Sequence, residues 1–280
     1  MSAAVPRTVA NLLRETGAES GRLERELLLA AACGTDRAAL YRDPERTLAP
    51  AAIAAFQALL AARRSGEPIA YLLGRREFWN LALEVGPDVL IPRPETELLV
   101  ETALELMPRD AAVRVLDLGT GSGAIGLALA AERPNWWILA SDCCPRALAV
   151  ASRNAARHGL RNVALRRASW FDVLDGERFD LIVANPPYVA SDDAALTSGD
   201  TRFEPRLALD GGRDGLQAIR SIVSGAPPHL NPRGVLALEH GDGQAADVTA
   251  LLRTSGFRDL RTRRDLQAWD RLSLGTLGTS

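Results

Sequence analysis

A short apolar run, followed at once by glycines and then by an apolar helix, constrains the fold of this chain more than any other feature. Residues 113–118 have the length and composition of a buried parallel strand, 119–123 hold three glycines, and 124–130 are apolar and helix-forming. Glycines let the backbone come close to a ligand, and the first N–H groups of a helix are free to bind one. The order therefore predicts an open α/β sheet with a nucleotide site at its edge.

The pattern of strands and helices continues to the end of the chain. Apolar runs of strand length alternate with helical segments, which predicts a mostly parallel, Rossmann-like sheet of seven strands. The last two strands leave little room for a crossover helix, so we expect them to form an antiparallel hairpin at the edge. The predicted strands lie near residues 113–118, 136–142, 162–167, 179–184, 233–239, 257–263 and 269–275.

The first quarter of the chain has a different pattern. Apolar residues recur at helical spacing near 5–16, 22–33 and 50–64, which predicts a small helical domain with too few residues for a large core. Two short alternating runs around Asn80 predict a hairpin. The expected organisation is a helical domain over residues 1–74, a hairpin linker over 75–92 and a sheet domain over 93–280.

An acid follows the second predicted strand of the sheet domain. Asp142 lies roughly 20 residues beyond the glycines, the spacing at which a carboxylate can accept hydrogen bonds from both hydroxyls of a ribose. Gly121, Gly123 and Gly126 also satisfy the dinucleotide pattern G-x-G-x-x-G, so NAD binding has to be considered. The full form D-L-G-T-G-S-G (117–123) is more similar to the S-adenosylmethionine loop of class I methyltransferases.

A second chemical motif, Asn185-Pro186-Pro187-Tyr188, follows the predicted strand 179–184. The prolines stop ladder pairing and make the turn rigid, so an amide, carbonyl groups and an aromatic ring are held at the carboxyl edge of the sheet. The nitrogen of an amide or ring-amino group is a poor nucleophile because its lone pair is delocalised. The Asn185 oxygen and the Pro186 carbonyl could each accept one of its N–H groups, and Tyr188 could stack on it.

The composition excludes several other classes of protein. The chain has 280 residues, 47% hydrophobic and 24% charged, with a net charge of −2, which gives no basic character for duplex DNA binding. No run reaches the roughly 18 apolar residues of a membrane span, and no secretory signal is evident, so we expect a cytoplasmic protein. The three cysteines and three histidines are not at metal-binding spacings, and we expect no metal.

Six segments in a fixed order resemble the HemK/PrmC family over nearly the whole chain. That family implies a class I methyltransferase fold and S-adenosylmethionine-dependent methylation of a glutamine side chain (N5) in class 1 peptide chain release factors, with no direct nucleic-acid substrate. The matching segments are G-R-R-E-F-W (74–79), I-P-R-P-E-T-E (91–97), L-D-L-G-T-G-S-G-A-I (116–125), N-P-P-Y (185–188), R-F-E-P (202–205) and L-E-H-G (238–241).

The resemblance also implies roles for individual residues. Asn185, Pro186 and Tyr188 are expected in catalysis, the whole of Asn185–Tyr188 in holding the glutamine, and residues 1–74 in docking the protein substrate. Ser169 stands where the family often has an aspartate for the adenine amino group, and the segment 264–271 lacks a glycine that is often present. The expected cofactor contacts are Gly119, Thr120, Gly121, Ser122, Gly123, Asp142, Trp170 and Asn185.

Two other functions remain to be distinguished. N-P-P-Y also occurs in methyltransferases that act on amino groups of DNA or RNA bases, although this chain has no recognisable target-recognition insert. A cofactor-binding scaffold without activity would not need a polarised amide clamp. Arg93 and Arg202 lie in motif segments, where either could serve the site or could pair with a carboxylate such as Glu95 or Glu204.

Overall fold

In a computed structural model, which describes residues 7–15 and 21–278, the chain divides into two compact units, Met1–Arg75 and Arg76–Ser280. The predicted helix over 5–16 is described only in its middle, and its two ends lie outside the described residues. No helix among the described residues is long and apolar enough to cross a bilayer.

The first unit is helical throughout its described part. Its core is built from apolar side chains of successive helices, among them the fully buried Leu28, Leu29 and Phe56. Two short helices were not predicted, because five or six residues are too few for a clear apolar period; one of them is capped by Asp36, which accepts from the Ala39 N–H at 2.7 Å. The helices are α1 (Val9–Glu15), α2 (Arg22–Ala32), α3 (Arg37–Arg42), α4 (Pro50–Arg64) and α5 (Ile69–Leu73).

The second unit has the predicted α/β class. Over residues 76–278, which the structure describes without a gap, a seven-stranded sheet has the order β5-β4-β3-β6-β7-β9-β8, parallel except for β9, which runs antiparallel to both of its neighbours. The predicted terminal hairpin at the edge is thus confirmed. The strands of this sheet are β3 (Arg114–Leu118), β4 (Trp137–Asp142), β5 (Val163–Arg167), β6 (Phe179–Ala184), β7 (Leu230–Glu239), β8 (Phe257–Arg264) and β9 (Asp270–Leu277).

A small hairpin precedes the seven-stranded sheet, and helices cover both faces of that sheet. Alternate strand residues point into two apolar clusters, as expected for parallel strands buried on both sides. The hairpin is formed by β1 (Arg75–Phe78) and β2 (Leu81–Glu84), and the helices are α6 (Glu97–Leu106), α7 (Ala124–Glu132), α8 (Pro145–Arg157), α9 (Gln217–Gly225) and α10 (Ala245–Thr254).

Strand β7 begins earlier than predicted. The sequence indicated a start near residue 233. Pro232, which lies just before it, lacks the N–H that a strand interior uses. The structure pairs Leu230 with Phe179 and then shifts register, with Arg233 in a left-handed conformation (φ 63°). A bulge thus absorbs the proline, and the strand continues on both sides of it.

Candidate active site

Four strand ends meet at one edge of the sheet. Leu118, at the end of β3, is paired with Ser141 on one side and with Ala184 on the other, and Ala184 is paired with Leu238. The strand order reverses between β3 and β6: β4 and β5 follow on one side of β3, and β6 and β7 lie on the other. Ligands of open α/β sheets bind at such a switch point. The residues that follow these four positions are Gly119, Asp142, Asn185 and Glu239.

A cavity of about 330 Å³ opens at this edge. Its volume is in the range of small-molecule sites. It extends from the glycine loop to the N-P-P-Y turn, so the two predicted motifs share one cavity. Among the residues that line it are Gly119, Gly121, Asp142, Ser169, Trp170, Asn185 and Pro187.

The glycine loop holds the Asp142 carboxylate. Gly121 has a φ of 56°, which a residue without Cβ adopts without strain, and its N–H donates to Asp142 Oδ2 at 2.9 Å. The Cys144 N–H donates to Oδ1 at 2.8 Å. Burial raises the pKa of Asp142, although these N–H groups oppose the effect. Each carboxylate oxygen retains a lone pair that a ribose hydroxyl can use.

A second acid, Asp117, holds the two ends of the glycine loop together. Its side chain is fully buried, and Oδ2 accepts from the Thr120 hydroxyl at 2.6 Å and from the Gly126 N–H at 3.0 Å. Burial raises the pKa of Asp117 to about 6, against the effect of both hydrogen bonds. Thr120 therefore shapes the loop and, with Ser122 and Gly123, does not line the cavity.

The indole of Trp170 forms a flat wall beside the loop. A methyl group placed on Gly119 would lie 3.6 Å from Trp170 Cζ3, so the indole lies close to the backbone of the glycine loop. Ser169 lines the cavity as well, and its N–H donates to the Asp172 carboxylate. An acid, an aromatic face and close glycine backbone are the groups that a nucleoside requires, so these residues fit S-adenosylmethionine.

The N-P-P-Y turn divides its residues between the cavity and the core. Asn185 and Pro187 line the cavity, whereas Pro186 is buried and Tyr188 packs into one of the two apolar clusters. The Tyr188 hydroxyl donates to Glu239 Oε1 at 3.1 Å, and burial raises the pKa of this phenol. The tyrosine ring does not line the cavity, so its predicted stacking on a substrate has no support from the cavity lining.

Asn185 is held by a residue that sequence reasoning did not single out. Its Nδ2 donates to Thr96 Oγ1 at 3.0 Å, which leaves the side-chain oxygen for another partner. Thr96 and Glu239 lie inside I-P-R-P-E-T-E and L-E-H-G, two motifs that carried the family resemblance without an assigned role. Position within these motifs was the signal that could have identified them.

A glycine-rich loop that received no role supports the turn from outside. A methyl group on Gly215 would lie 2.3 Å from the Tyr188 carbonyl oxygen, so only glycine allows this approach. Gln244 Nε2 donates to the same oxygen at 3.1 Å, and its Oε1 accepts from the Gly241 N–H at 2.8 Å. The cluster D-G-G-R-D-G (210–215) was the sequence signal for this support.

Arg93 links two motif segments. Its guanidinium pairs with Glu204, which is buried, and Glu204 Oε2 accepts from the Ile91 N–H at 2.9 Å. Of the two carboxylates considered from the sequence, Arg93 therefore uses Glu204. The guanidinium of Arg202 lies over the Phe203 ring, 4.8 Å from its centroid. Neither arginine lines the cavity.

Comparison with known proteins gives matches over nearly the whole chain. The family model described as the PrmC N-terminal domain matches residues 6–74, and the one described as the methyltransferase small domain matches residues 94–202. Release factor glutamine methyltransferase from Pseudomonas aeruginosa is 52% identical over 271 residues, 96% of this chain and 98% of that protein. The protein of the same name from Xylella fastidiosa is 52% identical over 254 residues, 91% of this chain and 92% of that protein.

Among solved structures, a methyltransferase from Pyrococcus furiosus superposes with a TM-score of 0.55 at 21% identity, over 80% of this chain and 98% of that one. At this identity the likeness bears on the fold alone, and it confirms the class I methyltransferase architecture.

Proposed function

The chain belongs to the release factor glutamine methyltransferase family, and we propose that it methylates the side-chain amide nitrogen (N5) of a glutamine in class 1 peptide chain release factors. One observation carries this proposal: Asn185 lines the same cavity as Asp142 and Trp170. The Asn185 amide therefore lies within reach of a methyl donor held by Asp142 and Trp170.

The cofactor half of the cavity suits the donor that this family uses. S-adenosylmethionine, when bound, supplies an electrophilic methyl group on its sulfonium. We propose that Asp142 accepts the ribose hydroxyls, that Trp170 packs beside the adenine and that the glycine loop follows the methionine part through Gly119 and Gly121. Ser169 offers no carboxylate to the adenine amino group, so we expect that contact to be absent in this chain.

The N-P-P-Y turn acts on the acceptor nitrogen. The Asn185 side-chain oxygen and the Pro186 carbonyl each accept one N–H of the glutamine amide, which orients the nitrogen and stabilises its developing positive charge. Positioning supplies most of the acceleration. The nitrogen becomes acidic as it gains the methyl group, so its proton leaves to water and no strong base is needed before transfer.

Mass spectrometry of the substrate tests this function. The full chain is incubated with S-adenosylmethionine and a class 1 release factor, and with RNA and DNA in parallel reactions. The expected result is one methyl group on a glutamine of the release factor and none on either nucleic acid. Methylated bases with an unmodified release factor would make the chain a nucleic-acid methyltransferase instead, acting in the same way on a base amino group.

For the first unit we propose docking of the protein substrate. A stable protein contact buries about 800 Å² on each partner, more than a glutamine pocket offers. Leu23 and Tyr41 are exposed apolar side chains on this unit, at 53% and 52% of their full accessibility, and could contribute to such a contact. A protein substrate of this kind also makes the cytoplasm the expected location.

A shortened chain beginning at Arg75 tests the docking role. We expect it to bind S-adenosylmethionine and to methylate a short glutamine peptide as the full chain does, but to methylate intact release factor at least tenfold more slowly. Melting curves with and without cofactor first establish that the shortened chain is folded. Equal loss on peptide and protein by a folded fragment would mean that the first unit supports catalysis in another way.

A further inference from the structure

A buried acid lies directly behind the N-P-P-Y turn. Glu239 is the last residue of β7 and is only 2% exposed. Its Oε1 accepts from the Tyr188 hydroxyl at 3.1 Å, and its Oε2 has no partner of full hydrogen-bond geometry among the described residues. Buried carboxylates are rare without full compensation. Glu239 does not line the cavity, so ligand binding does not explain it.

Thr96 connects this acid to the amide of Asn185. The Thr96 hydroxyl is buried and accepts from Asn185 Nδ2 at 3.0 Å. It also lies near enough to Glu239 to lower the pKa of that carboxyl by hydrogen bonding, although the contact falls short of full hydrogen-bond geometry. Thr96 is thus hydrogen-bonded to the amide on one side and lies beside the buried acid on the other.

The direction of the hydroxyl proton decides which way the amide faces. An ionised carboxylate can only accept. If the Thr96 hydroxyl donates to Glu239, the Thr96 oxygen can only accept from its other neighbour. Asn185 satisfies that oxygen with its NH2 group, and its own oxygen is turned away from Thr96. With the amide reversed, two acceptors would face each other in a buried site.

We propose that Glu239 and Thr96 are positioning residues for the methyl transfer: together they hold Asn185 with its side-chain oxygen toward the glutamine amide. The inference rests on the proposed function, because it assigns the direction of the Asn185 oxygen to the acceptance of a substrate N–H. The Tyr188 hydroxyl shares the same carboxylate, so the acid also fixes the far end of the turn.

The surroundings of Glu239 give this arrangement a pH dependence. Burial raises its pKa to about 7; the Thr96 and Tyr188 hydroxyls and the nearby Arg271 lower it, and Glu95 raises it. Protonation gives the carboxyl a donor of its own, so the Thr96 proton is no longer directed to it. We therefore expect the orientation of Asn185 to be lost as the pH falls through about 7.

One further titratable group is adjacent to the acid in the chain. His240 has Nε2 within 3.0 Å of the Ser273 hydroxyl, and burial lowers its pKa. Burial thus opposes a positive charge on the imidazole beside Glu239. The limb near pH 7 is therefore assigned to the glutamate and not to His240.

Substitutions at Thr96 separate positioning from packing. Thr96→Val keeps the shape of the side chain and removes the hydroxyl, and we expect kcat to fall about tenfold or more. Thr96→Ser restores the hydroxyl, and kcat should return to within about threefold of the wild-type value. The matched control is Thr102→Val in the helix that follows Thr96; it removes a buried hydroxyl that donates to the Leu98 carbonyl at 2.7 Å and accepts from the Arg263 guanidinium at 3.0 Å. It should leave kcat unchanged.

Calorimetry and melting curves accompany these rates. A purely structural role would lower stability alike in Thr96→Val and Thr102→Val and would leave kcat of the folded enzymes alone. We expect the affinity for S-adenosylmethionine to stay within about threefold in every variant, because the hydroxyl does not reach the cavity. Wild-type kcat in Thr96→Val, or equal impairment of the Val and Ser variants, would overturn the positioning role.

Glu239→Gln tests the titration, and the wild-type chain tests the premise. Wild-type kcat should fall below a pH of about 7, whereas the amide variant should be slower at pH 8 and nearly flat from pH 6 to 8. An unchanged acidic limb in Glu239→Gln would overturn the assignment. If the wild-type chain methylates no glutamine, the proposed function falls as well; if it does and the variants match it, only this inference falls.

Discussion

The two sides of the cavity hold their polar groups in different ways. On the cofactor side, backbone N–H groups of Gly121 and Cys144 hold both oxygens of Asp142. On the amide side, the side chain of Asn185 is held by another side chain, that of Thr96. A backbone donor follows the path of the main chain, whereas a side-chain partner is lost with one substitution. The first arrangement suits binding of the cofactor, and the second suits orientation of the Asn185 amide.

This difference predicts that affinity and rate can be changed separately. Substitutions on the cofactor side should mainly alter the Kd for S-adenosylmethionine, and those on the amide side should mainly alter kcat. Interactions that strengthen only in the transition state raise kcat, whereas those present in the bound ground state lower Kd.

The largest expected effect is on the amide side. Asn185→Ala should lower kcat by about 10²-fold or more, the scale for removal of one preorganised polar group that stabilises developing charge. Its affinity for S-adenosylmethionine should stay within about tenfold of the wild-type value. Single-turnover kinetics with labelled cofactor measure the first quantity, and calorimetry measures the second. A near-normal kcat would show that the amide clamp does not operate.

Asp142→Ala is the counterpart on the cofactor side. Loss of the carboxylate should weaken binding of S-adenosylmethionine by about 1.5–3 kcal/mol, the range for hydrogen bonds to a charged acceptor. At saturating cofactor, kcat should change much less than in Asn185→Ala. Titration calorimetry checks the affinity. If the affinity is unchanged, another group holds the ribose; if kcat falls as far as in Asn185→Ala, the separation of the two sides is wrong.

The same contrast explains which parts of the site were predictable. Asp142 and the glycine loop lie about 20 residues apart in a recognised order, and the strands are local apolar runs. Thr96 and Asn185 are 89 positions apart, and Tyr188 and Glu239 are 51 apart. No local pattern joins such pairs, because their contact depends on strand order and register. The roles of the predicted site residues stay predictions until they are measured.

Two buried acids, one on each side, should contribute to stability with a pH dependence opposite to the usual one for carboxylates. The folded pKa is about 7 for Glu239 and about 6 for Asp117, both above the ordinary values of 4.5 and 3.8. At these two acids the folded state therefore binds more protons than the unfolded state, and their contribution to stability is largest at low pH and is lost as the pH rises through the folded pKa.

The amide variants Glu239→Gln and Asp117→Asn remove this dependence. As the pH rises from 5 to 8, the wild type should lose about 2 kcal/mol of stability through Glu239 and about 1 kcal/mol through Asp117. Each amide variant should not show the loss that belongs to its own site. Denaturant unfolding at the two pH values measures both. A larger change at Asp117 would place the more strained acid on the cofactor side and would reverse this part of the comparison.

The smallest effect is expected at the tip of the β8–β9 hairpin, whose second strand brings Arg271 near Glu239. Ala268 has a φ of 65°, in the left-handed region that glycine adopts freely, and it lies in the segment where the family often has a glycine. Ala268→Gly should stabilise the protein by about 0.5–1 kcal/mol, the relief of the Cβ strain less the greater entropy of glycine when unfolded.

The control is Ala250→Gly in the exposed middle of α10, which should destabilise the protein by a similar amount. Melting curves distinguish the two signs. Neither substitution should alter kcat or the Kd for S-adenosylmethionine, because neither residue lines the cavity. A changed kcat in Ala268→Gly would show that the hairpin turn itself helps to set the position of the buried acid.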